Sequence, residues 1–297
     1  MGITRRAFIR GATACMMGAV CGTLALNNPS HSSALEIFEK QPKASSVDLN
    51  PSGMVRSGFA QLDRVLGRIP DRSLTLITSR RPGLGVTELA LNMAVNAARL
   101  DASVLYFSLA DPGYSLSNRI RAIEKRHAAE GAFNVAVYDE HICGKSKMAA
   151  GKLLIDDTPA LSISDIQSAS FRAFGCGKSE RGLIIIDYIQ LVEDARLRKD
   201  RVYNDEAYTL HNLARELDIP IVVCSQALKA LRTCPEYSEL RVLRDRGLEH
   251  APDVSLVLGT SKNNDASLAR EHWYDGSMEI YIAKNRYGKA RLTIPLS

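Results

Sequence analysis

A short loop with the spacing of a phosphate-binding loop carries the clearest chemical signal in this sequence. In the pattern G-x-x-x-x-G-K-[ST], backbone N–H groups and a helix N-terminus hold phosphates, the lysine contacts the β- and γ-phosphates, and the hydroxyl binds Mg²⁺. Gly85 and Thr87 occupy the second glycine and the hydroxyl positions, whereas Arg80 and Val86 stand at the first glycine and lysine positions. The loop therefore predicts a nucleotide site that has lost its main cation.

The loop lies between a predicted strand and a predicted helix, and this alternation continues along the chain from about residue 54. It predicts an α/β fold, with a mainly parallel β-sheet flanked by helices on both faces. The predicted strands are Leu74–Thr78, Val104–Ser108, Leu153–Asp156, Gly182–Asp187, Ile219–Ser225, Val254–Thr260 and Met278–Ala283. The predicted helices are Glu88–Leu100, Leu116–Ala129, Ile163–Phe174 and Glu206–Leu217.

Polar residues follow several of these strands. Ligands of such sheets bind beyond the carboxyl ends of the strands, which places Gly85, Ser108, Asp187 and Gln226 along one edge. Asp187 ends an apolar run, as does the acid that holds Mg²⁺ through water in nucleotide-hydrolysing enzymes. Thr87 and Asp187 are therefore the predicted Mg²⁺ ligands if a nucleotide binds, and turn or helix capping is the alternative role for each.

The N-terminus carries an independent signal. Residues Thr4–Arg10 fit the twin-arginine export pattern, the apolar stretch Gly11–Leu26 is too short and too weak for a stable membrane span, and Ser32–Ala34 offers small residues for cleavage. Residues 1–34 are thus predicted to be a signal segment and 35–53 a flexible lead-in. This predicts an exported, periplasmic protein. The alternative is a basic amphipathic helix or linker on a cytoplasmic protein.

The amino-acid composition excludes few classes of protein. An apolar content of 45% and a charged content of 24% are ordinary for a globular protein. A net charge of +5 permits contact with nucleic acid without arguing for it. The six cysteines form no C-x-x-C pair, which argues against a zinc site or a disulfide framework.

Short motifs follow one another in a fixed order from about residue 56 to the end of the sequence. They are Ser57–Phe59 with Leu62 and Asp63, Arg81–Gly85, Tyr106–Leu109, Ile155–Pro159 with Ser162 and Ile163, Ile184–Leu191, Ser225–Gln226, Leu243–Gly247, Glu249, Asp253 and Ile282–Gly288. Together they resemble the C-terminal motor domain of DnaB-type replicative helicases, a RecA-like fold. The resemblance covers the predicted domain 54–297, whereas residues 1–53 show none to the family's N-terminal helical domain.

The resemblance implies roles for particular residues. Arg81, Pro82, Gly83, Gly85 and Thr87 would bind nucleotide together with Asp187. Lys284 and Arg286 match the family's finger pair, which reaches the nucleotide of a neighbouring subunit, and Gln226 matches the residue that senses the γ-phosphate. A solvated hairpin is the alternative for Lys284 and Arg286. The predicted DNA-facing loop, which would contact single-stranded DNA phosphates or else be a solvated charged loop, contains Arg196, Arg198, Lys199 and Arg201.

Three residues that differ from the family pattern bear on the rate of ATP hydrolysis. Beside Arg80 and Val86, Ala110 stands where the family has the glutamate that polarises the attacking water, and the neighbouring Asp111 is shorter and points elsewhere. Losing one positioned catalytic group commonly costs about 10²–10⁴-fold in rate. Hydrolysis is therefore expected to be near zero, with binding of ATP and Mg²⁺ weak or lost.

Three hypotheses follow. The first is a degenerate DnaB-like domain, a weak or inactive ATPase that acts by assembly, as a homo-hexamer or in a mixed ring with a DnaB-type helicase, or by contact with nucleic acid. The second is an active ATP-dependent DNA helicase or translocase in which Arg80 and Asp111 act as substitutes. The third is an exported scaffold that retains only the fold.

Overall fold

The structure is a computed structural model that describes residues 55–79, 82–126, 153–175, 181–193, 203–226, 243, 247–260 and 278–296. All of these residues belong to one unit, Asn50–Ser297. The predicted signal segment 1–34 and lead-in 35–53 lie outside the described residues, as do Arg80, Arg81 and the predicted DNA-facing loop with Arg196, Arg198, Lys199 and Arg201.

Strands and helices alternate through most of the described chain. The strands are β1 Leu74–Ser79, β2 Ser103–Ser108, β3 Leu153–Asp156, β4 Gly182–Asp187, β5 Ile221–Ser225, β6 Val254–Thr260, β7 Met278–Asn285 and β8 Leu292–Leu296. The helices are α1 Ala60–Leu66, α2 Val86–Arg99, α3 Gly113–Arg126, α4 Ile163–Phe174 and α5 Asn204–Leu217. A 3₁₀ turn, Ile189–Leu191, follows β4.

One eight-stranded sheet joins these strands in the order β3-β2-β4-β5-β1-β6-β7-β8. The strands from β3 to β6 pair in parallel. Strands β7 and β8 pair antiparallel with their neighbours, so they turn back along one side of the sheet. The prediction of a mainly parallel α/β sheet is confirmed.

The central strands are buried on both faces, which explains why their sequences are continuous apolar runs. Successive residues face opposite sides of a sheet. Accordingly, Tyr106 of β2 lies in the core formed with α1, α2 and α3, while its neighbour Phe107 lies in the core formed with α4 and α5. Helices thus cover both faces of the sheet, as predicted.

Two elements were not predicted from the sequence. Helix α1 has only seven residues and a single fully buried one, Leu62. Strand β8 lies beside β7 at the end of the sheet order and is only partly buried, and it carries Pro295. Proline is tolerated in an edge strand because its missing N–H can lie on the outer side, where there is no neighbouring strand to accept a hydrogen bond. Short, half-exposed segments of this kind have weak periodicity, so the sequence gives little signal for them.

The chain before α1 packs closely against α2. Asn96 of α2 donates a hydrogen bond from its side-chain nitrogen to the carbonyl oxygen of Ser57 at 3.3 Å. A Cβ atom on Gly58 would come within 1.9 Å of the same side chain, and the φ of Gly58 is +84°. Glycine is required here by both space and backbone geometry.

Within the described ranges, no helix is long and apolar enough to cross a membrane.

Candidate nucleotide-binding site

The loop between β1 and α2 has the backbone shape expected of a phosphate cradle. Gly83 and Gly85 have φ values of +80° and +82°, which glycine adopts without steric cost. Gly85 is the N-cap of α2, and no side chain caps that helix end. The first N–H groups of a helix lack internal partners and carry a partial positive charge, so this end of α2 attracts anions.

Val86, the residue at the lysine position, adds no charge to this cradle. Its side chain is partly buried and packs against the hydrophobic core beneath α2. In a phosphate loop, the ammonium group of a lysine acts as a point charge that contacts phosphate oxygens. Among the described loop residues 82–87, only backbone dipoles and the Thr87 hydroxyl remain to hold phosphates.

Asp187, the predicted Mg²⁺ ligand, ends β4 beside the phosphate loop and is only 3% exposed. The Tyr106 hydroxyl donates a hydrogen bond to an Asp187 carboxylate oxygen, Oδ2, at 2.8 Å. Thr87 and Cys224 also hydrogen-bond this carboxylate through their side chains. The carboxylate is therefore enclosed by groups of the chain itself.

Burial dominates the electrostatics of this site. It raises the pKa of Asp187, because a buried carboxylate loses hydration, while the hydrogen bonds from Tyr106 and Thr87 act in the opposite direction. The charge of Asp111 makes a smaller contribution that also raises the pKa of Asp187. Burial and Asp187 together raise the pKa of the Cys224 thiol well above its usual range, so this cysteine stays a thiol.

The position of the water-polarising acid is occupied by an exposed alanine, Ala110. Its neighbour Asp111 forms an ion pair with Arg119 of α3, with 3.1 Å between Oδ2 and Nη1. The Ser108 hydroxyl donates to the Asp111 carbonyl oxygen at 2.5 Å, which fixes the turn after β2. The Asp111 carboxylate is thus directed to a cation on α3.

Gln226, the predicted γ-phosphate sensor, follows β5 and is exposed. Gln190, to which the sequence interpretation gave no role, holds the backbone there. Its Nε2 donates to the Ser225 Oγ at 2.7 Å, and its Oε1 accepts from the Gln226 N–H at 3.2 Å. The sequence signal for Gln190 was its place in the motif Ile184–Leu191, which did not indicate these hydrogen bonds.

The predicted site residues divide between two opposite edges of the sheet, one formed by the carboxyl ends of the parallel strands and the other by their amino ends. Gly85, Thr87, Asp187 and Gln226 lie at the carboxyl ends of the parallel strands, as predicted. Lys284 lies near the end of antiparallel β7, where it pairs with Ser255 at the start of β6. A six-residue strand spans about 20 Å, so the finger pair is remote from the phosphate loop of its own chain.

A buried carboxylate, Asp253, organises the edge that carries the finger pair. It is 3% exposed and precedes β6. Its Oδ1 lies 2.9 Å from Nη1 of Arg286, and its Oδ2 lies 2.9 Å from Nε2 of His211 on α5. The same Oδ2 accepts a hydrogen bond from the Leu74 N–H at 3.1 Å. Asp253 therefore connects β1, α5 and the turn after β7.

Lys284 is held beside Arg286 by backbone carbonyls. Its Nζ donates to the carbonyl oxygens of Glu249 at 3.0 Å and His250 at 2.9 Å. Arg286 also donates to the His250 carbonyl oxygen at 3.3 Å. Partial burial and the adjacent Arg286 charge lower the pKa of Lys284. Two cations are thus positioned side by side, with the Arg286 side chain 51% exposed.

The residues present fit a bound nucleotide only in part. The glycine geometry and the bare N-terminus of α2 suit a phosphate group, but Val86 provides no cation and the Asp187 carboxylate is already engaged. In the described ranges, no group of three or more His, Cys, Asp or Glu side chains could hold a metal ion. The cradle therefore fits an anion, and the carboxylate beside it, Asp187, already accepts hydrogen bonds from the chain.

The Asp253 network leads to a stability prediction. Asp253→Ala leaves the Leu74 N–H and a His211 nitrogen without their buried acceptor, which should lower the free energy of unfolding by about 2–4 kcal/mol. Arg286→Ala removes a half-exposed partner while the other two donors remain, so it should cost about 1 kcal/mol or less. Urea denaturation of both variants tests this. Equal, small losses would show that Asp253 does not organise this edge.

Similarity to known proteins agrees with this geometry. Residues 54–296 match the family described as DnaB-like helicase C terminal domain. The chain is 31% identical over 255 residues to the replicative DNA helicase DnaC of Bacillus subtilis (strain 168), covering 79% of this chain and 52% of that protein. The replicative DNA helicase DnaB of Geobacillus stearothermophilus gives the same identity and coverage. The chain thus spans about half the length of these relatives.

Solved structures show the same fold. A solved ATPase domain matches with a TM-score of 0.61 at 22% identity, covering 91% of this chain and 95% of that one. A DnaB-like replicative helicase solved for its interactions with primase matches with a TM-score of 0.60 at 21% identity, covering 89% of this chain and 65% of that one. The fold is RecA-like, and the chain belongs to the DnaB-like helicase C-terminal domain family.

Proposed function

We propose that this DnaB-like domain has a degenerate ATP site, binds Mg-ATP weakly or not at all, and hydrolyses it at a rate near zero. The observation that carries the proposal is the packing of Val86 into the core at the lysine position. The phosphate loop thereby keeps its backbone shape and loses its positive side chain.

The site around the loop supports the same conclusion. Ala110 cannot polarise water, and the Asp111 carboxylate is paired with Arg119. Removing a charged hydrogen-bonding group and a positioned base each commonly lowers the rate by about 10²–10⁴-fold. The two losses act on different steps, phosphate binding and water activation, so one substitution does not compensate for both.

The degenerate site leads to a prediction about nucleotide binding and hydrolysis. The native chain should show no ATP hydrolysis above background, with or without single-stranded DNA. Val86→Lys should raise the affinity for a fluorescent adenine nucleotide by about 10–100-fold, the effect of one charge-assisted hydrogen bond. It should leave hydrolysis near background because Ala110 is unchanged. Fluorescence titration and phosphate release measure the two quantities.

The alternative is an active ATP-dependent DNA helicase in which Arg80 and Asp111 substitute for the missing groups. DNA-stimulated ATP hydrolysis by the native chain would establish it and refute the degenerate site. Arg80→Ala and Asp111→Asn would then each reduce the rate. Gln226→Ala is the control variant: both hypotheses place Gln226 near the γ-phosphate, so its substitution does not distinguish between them.

A second function is favoured by the opposite edge of the sheet. Lys284 and Arg286 are held side by side, remote from their own phosphate loop, with Asp253 fixing the guanidinium. In the family that the chain resembles, this pair serves the nucleotide of a neighbouring subunit. We propose that the chain can supply the pair to an intact site in a mixed ring with a DnaB-type helicase. Contacts to single-stranded DNA would come from Arg196, Arg198, Lys199 and Arg201, and a homo-hexamer is the competing assembly.

The mixed ring is tested by adding the purified chain to a DnaB-type helicase, such as that of Bacillus subtilis, and measuring its ATPase rate. The native chain should change the rate severalfold, and Arg286→Ala should abolish the change because the transition-state charge is no longer offset. Arg291→Ala, which removes an exposed charge just after the same turn, should keep it. An unchanged rate with the native chain would rule the mixed ring out.

Export is a separate proposal that rests on residues 1–34. An exported chain would not meet a cytoplasmic helicase or a steady supply of ATP, so export favours a scaffold that retains only the fold. We propose cleavage after Ala34 and a periplasmic location. Retention in the cytoplasm would instead favour the mixed ring.

The intact mass of the natively expressed protein, together with its cell compartment, decides between these locations. Export predicts a mature chain that begins near Leu35, and the double variant Arg5→Lys with Arg6→Lys should block it because the twin arginines are read by a receptor. Arg10→Lys, equally conservative but outside the pair, should not block it. A full-length cytoplasmic chain would contradict export.

A further inference from the structure

The Tyr106 side chain is a feature of the site that the loss of the lysine does not explain. We infer that Tyr106 closes the magnesium subsite: its hydroxyl occupies the Asp187 carboxylate, so the loop can accept a phosphate-bearing ligand only without a metal. This inference rests on the proposed degenerate site and deepens it, because it concerns the metal rather than the phosphate.

The sheet itself brings the groups together. Side chains two residues apart on a strand share a face. Tyr106 lies on the same face of β2 as Val104, and Asp187 shares the face of Leu183 and Ile185 on β4, the neighbouring strand. Cys224 of β5 lies on this face as well. Helix α2 covers the face, and its first turn contributes Thr87.

These neighbours, together with burial, leave the carboxylate little capacity for a metal. Tyr106, Thr87 and Cys224 supply side-chain hydrogen bonds to one carboxylate that is 3% exposed. A carboxylate accepts bonds at about four positions. A hydrated Mg²⁺ holds its waters tightly and needs room around it. A water on such an ion would need the remaining acceptor position of Asp187, which these donors enclose.

The predicted magnesium ligands are thus present by type, but the carboxylate of one of them, Asp187, is enclosed by its neighbours. Thr87 and Asp187 are the residue types that hold Mg²⁺ in phosphate loops. Here they hydrogen-bond each other, and a tyrosine from the adjacent strand completes the enclosure. The disagreement between residue type and arrangement is the reason to assign Tyr106 a role in excluding the metal.

The test measures how strongly Mg²⁺ affects nucleotide affinity in the full chain. The dissociation constant of a fluorescent ADP is determined in excess Mg²⁺ and in EDTA, for Val86→Lys and for Val86→Lys combined with Tyr106→Phe. The first variant should bind with constants that agree within about twofold, since the lysine contacts phosphate without a metal. The second should bind at least about tenfold more tightly in Mg²⁺, because Asp187 has regained a free oxygen.

A matched control separates the hydroxyl from general effects of the substitution. Tyr203 is a buried tyrosine in the opposite core, so Val86→Lys with Tyr203→Phe should behave like Val86→Lys alone. Thermal unfolding verifies that each variant is folded. If the Tyr106→Phe variant does not fold, the ratio for Val86→Lys alone still decides between a closed and an open subsite.

Two results would overturn the inference. One is a tenfold or larger Mg²⁺ effect while Tyr106 is intact. The other is a Tyr106→Phe double variant that ignores Mg²⁺ or binds no nucleotide. Neither is the result that refutes the proposed function, which is ATP hydrolysis by the native chain, so the two failures are distinguishable.

Discussion

The burial of both faces of the central strands is the constraint on which the other features of this structure depend. Strands β2, β4 and β5 are buried over their whole length and consist mostly of apolar residues. A polar side chain in the middle of such a strand needs a partner, because an unpaired buried polar group is costly. Polar residues therefore collect at the strand ends, where loops and helix termini can satisfy them. This is why one edge carries the phosphate loop with Asp187 and the opposite edge carries Asp253.

The two edges differ in what they retain. At the carboxyl edge the loop has the backbone shape of a phosphate cradle, and Val86 packs into the core without adding a charge. At the opposite edge the charges persist, because Asp253 neutralises Arg286 and carbonyl oxygens accept from Lys284. Each arrangement is stable for a physical reason. A valine at the start of α2 packs into the core, and a guanidinium beside a buried carboxylate keeps both groups hydrogen-bonded.

The sequence predicted local features well and long-range contacts poorly. Strands β3 and β4 and helix α4 were predicted with the bounds observed, because apolar runs and helical periodicity are local signals. Partners such as Leu74 and Asp253, 179 residues apart, could not be inferred, since they depend on the order of strands in the sheet. The Tyr106–Asp187 hydrogen bond was missed for the same reason: β2 and β4 are neighbours only in the folded sheet. Resemblance located Lys284, Arg286 and Asp253 as motif residues, but it did not indicate that the Asp253 carboxylate holds Arg286.

The hydrogen bond between Tyr106 and Asp187 also makes the effects of substitutions at this site depend on one another. A lysine at position 86 would restore attraction for phosphate and leave the carboxylate engaged. Losing the Tyr106 hydroxyl first would release an oxygen of Asp187 beside a loop that still has Val86, with no gain in binding. Ala110 would remain in either case. If the site is degenerate as proposed, no single substitution at these positions would supply the phosphate contact, the metal ligand and the water-activating acid together.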